Sequence, residues 1–166
     1  QLMTGFSYPN YYPFAMRSKT PEERVLFVDN LLQQPKFKGK VKFISIDGIA
    51  DLVENTNDIL MSAAVASKVL KWTDEQGIHL HTVIHKLEGA LKPTGHLGSY
   101  ILKKAETVVF LEKDLDDENV INVEHSYARG MKFDNFSFTV NKDGLPYWVD
   151  NSMGDRLPKN KATVNY

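Results

Sequence analysis

The residues best placed to do chemistry lie in Val41-Lys42-Phe43-Ile44-Ser45-Ile46-Asp47-Gly48, an apolar run that stops on a carboxylate. Read as a strand, nearly all apolar after Lys42, the run is expected to be buried on both faces. Asp47 then stands at its carboxyl end. A carboxylate there is a hard oxygen ligand of the kind Mg²⁺ accepts one or two of, with waters and substrate phosphates filling the remaining positions. The loop that would cradle those phosphates, G-x-x-x-x-G-K-[ST], does not occur in the 166 residues, and Gly39-Lys40 runs directly into Val41.

A second group is His79, His81 and His85, spaced to share one face of a strand. Such spacing invites a metal reading with Asp47 from a neighbouring strand. Against it, His79 and His85 would stand about 20 Å apart at ~3.3 Å per residue, too far to share one ion. A small metal-dependent hydrolase using Asp47 and His85 is the reaction this reading allows. After the strand, residues 86–96 place Lys86, Lys92 and His96 among Gly89 and Gly95, and Lys103 and Lys104 follow on the next helix. Lysines on a mobile glycine-containing loop suit a phosphate backbone. Aromatic residues are few there, so base stacking is not expected of the loop. Asp51, Glu54 and the run Asp114 to Glu118 read as solvated or capping carboxylates. Trp72 and Trp148 read as core.

The elements that must position these groups follow from capping signals and periodicity. Thr20-Pro21-Glu22-Glu23 predicts a helix start, with Thr20 as N-cap, Pro21 at the first helical position and Glu23 closing a capping box. Val25, Leu26, Val28, Leu31 and Leu32 give that helix an apolar face, and a basic turn, 35–40, follows. Phe14 to Met16 reads as a short strand and residues 49–57 as a linker. A helix is predicted over 58–76 with Gly77 beyond its end, and a strand over 78–85. A helix over 97–104, a strand over 107–112, hairpin strands at 120–128 and 136–140, a Lys142-Asp143-Gly144 turn and a last strand at 145–149 complete the order. Alternating helices and strands imply a parallel sheet covered by helices, with antiparallel strands appended at one edge. Function in such sheets gathers at the carboxyl strand ends, where Asp47, His85 and Asp114 would fall.

Composition bounds the function classes. At 42% hydrophobic and 25% charged residues, the chain reads as one ordinary globular domain. Its net charge of −1 excludes a global basic field, so any contact with nucleic acid must be local. Without cysteine there is no disulfide, thiolate-held zinc or catalytic thiol. No apolar run approaches a membrane span and no signal peptide opens the chain, which fits a cytoplasmic protein without membrane contact. The chain opens on Gln1 rather than Met, as a piece of a longer protein would. Residues 1–150 are expected to form the folded part and 151–166 a flexible polar tail.

Taken together, Phe43 to Val53, Thr82 to His85, Gly95 to Ser99, Lys104 to Asp114 and Tyr127 to Gly130 resemble, in order and spacing, the second half of a RecA-like P-loop ATPase core. The branch is that of DnaB-type helicases, and more narrowly of ATPases carried on Bacteroidetes mobile elements and plasmids. The resemblance implies a three-layer α/β fold, a mostly parallel sheet flanked by helices with a C-terminal antiparallel hairpin. It places Asp47 at the Walker B position holding Mg²⁺ of bound ATP and His85 at the γ-phosphate sensor. Loop 86–96 becomes a DNA-binding loop in which Lys86, Lys92 and His96, with Lys103 beyond, meet the backbone. Arg129 becomes an arginine reaching into a neighbouring subunit's nucleotide, which requires a homo-oligomer. The parent would be a DNA-dependent ATPase of replication or mobilisation. This chain alone, lacking the Walker A loop, would bind neither ATP nor Mg²⁺ and be inactive. Tyr127 departs from the pattern, since helicases of this type carry a basic residue two before the arginine. The alternative is a non-catalytic RecA-like module that binds DNA or protein.

Overall fold

The computed structural model describes residues 8–86 and 93–149. They form two compact bodies, an α/β body within residues 14–104 and a β body of residues 105–149 with 8–13. The predicted tail 151–166 and Lys92 of the loop lie outside the described residues.

In the α/β body, α1 (Pro21–Gln33) begins as its sequence requires. Thr20 Oγ1 accepts the Glu23 amide at 3.3 Å and Glu23 carboxylate accepts the Thr20 amide at 2.9 Å, satisfying two orphan N–H groups. The Thr20 amide, with the Lys19 ammonium beside it, holds the Glu23 carboxyl below its ordinary range. Strand β1 (Phe43–Asp47) leads into a short 3-10 helix (Ile49–Leu52), and α2 (Ile59–Gln76) starts on Asp58, whose carboxylate accepts the Met61 amide at 2.8 Å. Gly77 ends α2 at φ +60°, a left-handed position a side chain would strain. Strand β2 (His79–Val83) and α3 (Gly95–Lys104) follow. Phe14 to Met16 forms no strand.

The core of this body gathers Leu32 of α1, Ile49, Leu52 and Val53, Val65 and Trp72 of α2, Ile78, and Leu97 of α3. Ile49, Leu52 and Val53, within the stretch expected as linker, therefore belong to the core, Ile49 fully buried. Burying one such side chain stabilises by roughly 1.5–3 kcal/mol. Asp29 bolts α1 to α2: its carboxylate accepts the Lys68 ammonium at 2.5 Å and the buried Trp72 indole N–H at 2.7 Å.

Strands β1 and β2 run parallel, Phe43 opposite His79 through Asp47 opposite Val83. Ile44, Ile46 and Leu80 pack on the core while Phe43, Ser45, Asp47, His79 and His81 are exposed. The expectation that β1 is buried on both faces is thus corrected. Among the described residues, apolar packing covers one face, and the strand alternates as a half-buried one does.

The β body is a four-stranded antiparallel sheet in the order β3 (Thr107–Lys113), β4 (Val120–Ala128), β5 (Phe136–Val140) and β6 (Pro146–Val149). This corrects the expected three-layer fold with its mostly parallel sheet. The observed parallel sheet has two strands, and β3 pairs antiparallel with β4. The reason is local: six residues separate β3 from β4, a connection that returns the chain antiparallel, whereas a parallel neighbour needs a long crossover. Asp114 accordingly is not at a parallel strand end. Its carboxylate accepts the Asp116 and Asp117 amides at 3.0 and 3.2 Å and the Asn122 side-chain amide at 3.0 Å, shaping that turn. Asn122 in turn receives the Ser137 hydroxyl at 2.6 Å, a buried polar link across β4 and β5. At the last hairpin Asn141 Oδ1 accepts the Asp143 and Leu145 amides, both at 2.9 Å, closing the predicted turn. Trp148 is 65% exposed rather than core, stacked on Phe136 at 4.9 Å.

Candidate functional site

The carboxyl edge of the parallel pair is built by backbone geometry. Asp47 ends β1 opposite Val83, and the Asp47–Gly48 peptide is cis. A side chain at Gly48 would meet the Val83 carbonyl oxygen at 3.2 Å, so the two strand ends close tightly there. Asp47 is exposed. His85 lies two residues past Val83 on the same edge, also exposed, and its carbonyl accepts the Thr94 amide at 3.4 Å and hydroxyl at 3.3 Å. Lys86 then forms a β-bridge with Pro93, pinching the loop between them at its neck.

The glycines at this neck have a different use from the mobility read into them. Gly95 adopts φ +76°, and a Cβ there would sit 2.5 Å from the Thr56 carbonyl oxygen, while one at Gly98 would sit 2.7 Å from the Pro93 side chain. The Leu97 amide also donates to that Thr56 carbonyl at 3.1 Å. Close backbone packing therefore anchors the start of α3 and the end of the loop. His96 and Lys103 are exposed on α3.

Thus the structure brings together Asp47, His85 and Lys86 at one strand edge and sets His96 and Lys103 on the helix that follows the loop. Asp114 belongs to the β body, at the turn between β3 and β4. Arg129 belongs to the β body, where its guanidinium meets Glu106 at 3.6 Å and its amide donates to the Glu106 carbonyl at 2.9 Å. The three histidines do not act as one group: His79 and His81 lie on β2 and His85 beyond it. Among the described residues no set of three or more His, Cys, Asp or Glu side chains is arranged to hold a metal. Asp47 suits Mg²⁺ as one carboxylate ligand of a phosphate-bound ion, the mode in which waters and phosphates supply the other positions.

Two features escaped sequence reasoning. Ser45 Oγ and His81 Nδ1 lie 2.9 Å apart on the exposed sheet face, and Phe43 stacks beside both His79 and His81, with centroids 5.6 and 6.3 Å away. Parity along the two strands carried the signal, but only their register shows that the rings meet. A groove of about 360 Å³ lies elsewhere, between α1, the 3-10 helix and α2, lined by Val25, Leu26, Leu52, Val53, Met61 and Val65 among others. Glu22, Asp29, Glu54 and Lys68 also border it, and it holds neither Asp47 nor His85.

The chain matches no family model, no curated protein and no solved structure. No helix among the described residues is long and apolar enough to cross a membrane.

Proposed function

We propose that this chain is the C-terminal portion of a RecA/DnaB-like ATPase that acts on DNA in the replication or mobilisation of a mobile element. The observation that carries the reading is the strand edge. An exposed carboxylate ends one strand of a parallel pair, and two residues past the end of the adjoining strand stands the exposed His85, followed by the Lys86–Pro93 bridge. Asp47 would hold Mg²⁺ of a nucleotide whose phosphates are cradled by a segment these 166 residues lack. His85 would sense the terminal phosphate, and Lys86, Lys92, His96 and Lys103 would face the DNA backbone. Arg129 would reach a neighbouring protomer's nucleotide.

The pairing of Arg129 with Glu106 favours the second reading, a non-catalytic module that binds DNA or protein. In that reading the arginine braces the start of β3 against the end of β4.

The test is Mg²⁺-dependent ATP hydrolysis by the full reading frame containing this segment, with and without single-stranded DNA, beside Asp47→Asn. DNA-stimulated turnover that is lost in Asp47→Asn supports the motor. A folded full-length protein without turnover sinks it and leaves the binding module.

A further inference from the structure

A second charged surface lies at the opposite end of β1. Four lysines, Lys36, Lys38, Lys40 and Lys42, occupy alternate positions before the strand, and no carboxylate occurs between Asp29 and Asp47. All four are exposed. Backbone bonds hold the turn: the Phe37 and Lys38 amides donate to Gln34 O, and those of Lys40 and Val41 to Phe37 O, at 2.9–3.2 Å. The half-buried Phe37 ring carries the Lys36 ammonium 5.3 Å above it, and Lys40 Nζ donates to Pro35 O at 3.2 Å. The lysines are thus mounted on a fixed turn.

That turn runs directly onto an exposed set of rings. Lys42 O accepts the His79 amide at 2.9 Å, and the next residue, Phe43, is 57% exposed and lies within 14° of parallel to the His79 and His81 imidazoles. Flat rings beside a dense row of ammonium groups make the combination by which single strands are held. Cations track the phosphates, and aromatic and imidazole faces take the bases regardless of sequence. A duplex offers no unstacked base to such rings.

We infer that the lysine turn and the Phe43–His79–His81 rings form a binding surface for single-stranded polynucleotide. The lysine turn is separate from the strand edge, with Lys42 and Asp47 about 17 Å apart at ~3.3 Å per residue, and the rings end at His81, opposite Ser45 and two residues short of Asp47 on the same exposed face. The binding surface does not depend on ATP chemistry.

The experiment is fluorescence anisotropy of a labelled 20-mer of deoxythymidine with the whole chain, from 50 to 200 mM salt. The variants are the fourfold Lys36→Gln, Lys38→Gln, Lys40→Gln, Lys42→Gln protein, Phe43→Ala, and Lys86→Gln as the control for the loop of the proposed motor. Circular dichroism verifies that each is folded. The fourfold variant is expected to lose affinity and to flatten the dependence of log K on log salt by about 0.7 for each lysine that meets a phosphate, so by up to about 3. Phe43→Ala should weaken binding on the order of tenfold with the salt slope unchanged. A loss confined to Lys86→Gln, no binding at 50 mM salt, or equal affinity for a blunt duplex of the same length overturns the inference. Loss in the fourfold variant with none in Phe43→Ala also overturns it, leaving a general polyanion site.

Discussion

Removing Asp29 tests whether one carboxylate joins α1 to α2. Two groups on α2, four residues apart, converge on it: the Lys68 ammonium and the Trp72 indole N–H. Trp72 is only 3% exposed, and an indole nitrogen can only donate. Asp29→Ala leaves that donor buried without its acceptor, at a cost of about 1–3 kcal/mol. The ion pair adds little, about 0.2–1 kcal/mol, because both side chains remain about a third exposed. The sum is roughly 1–4 kcal/mol. Asn at this position keeps an oxygen for the indole and should cost about 1 kcal/mol or less. Burial pushes the Asp29 carboxyl up, but the hydrogen bonds from Lys68 and Trp72 and the charges of Lys68 and Lys71 outweigh it, so the carboxyl titrates below its ordinary value. A folded value below the unfolded one means the ionic contribution is complete above the unfolded range, near 4, and is lost as pH falls through the folded value. The stability gap between the parent and Asp29→Asn should therefore be constant from pH 7 to about 5 and close in acid. Urea unfolding followed by Trp72 emission, in a Trp148→Phe background, measures both. An Asp29→Ala protein within about 0.5 kcal/mol of its parent, the range of an ordinary surface change, would refute the reasoning. So would an Asn variant as unstable as the Ala variant, since the indole bond would then carry nothing.

Gly95→Ala should be costly, because the new methyl would lie 2.5 Å from the Thr56 carbonyl oxygen at a positive φ. A loss of about 1–3 kcal/mol is expected in urea unfolding, with faster amide exchange at Leu97, whose N–H bonds the same carbonyl. Thr20→Ala should lower stability by about 1 kcal/mol while Thr20→Ser stays near the parent, compared by the same titration.

Capping chemistry made the helices of the α/β body legible. Thr20, Pro21 and Glu23 at one start and Gly77 at an end act within a turn of their own positions, so no knowledge of the fold is required to place them. The spans of β4 and β5 were legible as well, because alternation and turn residues are equally local. Pairing was not. That β3 joins β4 rather than β2 depends on which hydrogen bonds form across space, and a strand pattern carries no statement of its neighbour. Ile49 and Leu52 were read as linker because a single 3-10 turn is too short to show a period, although they are central to the core. At the candidate edge, Asp47 and His85 could be named from their places in two strands. The fit of Gly95 against Thr56 could not, since it rests on a contact across 39 positions.

The two-stranded parallel sheet has a consequence for how this polypeptide behaves in the tube. Among the described residues β1 and β2 bond only to each other, so each offers a row of amide and carbonyl groups along its outer side. Such rows are templates for further strands. Five residues is a short template, and the lysines preceding β1 repel a like chain approaching from that end. Self-association should consequently grow with salt, which screens the lysines but leaves the backbone groups as they were.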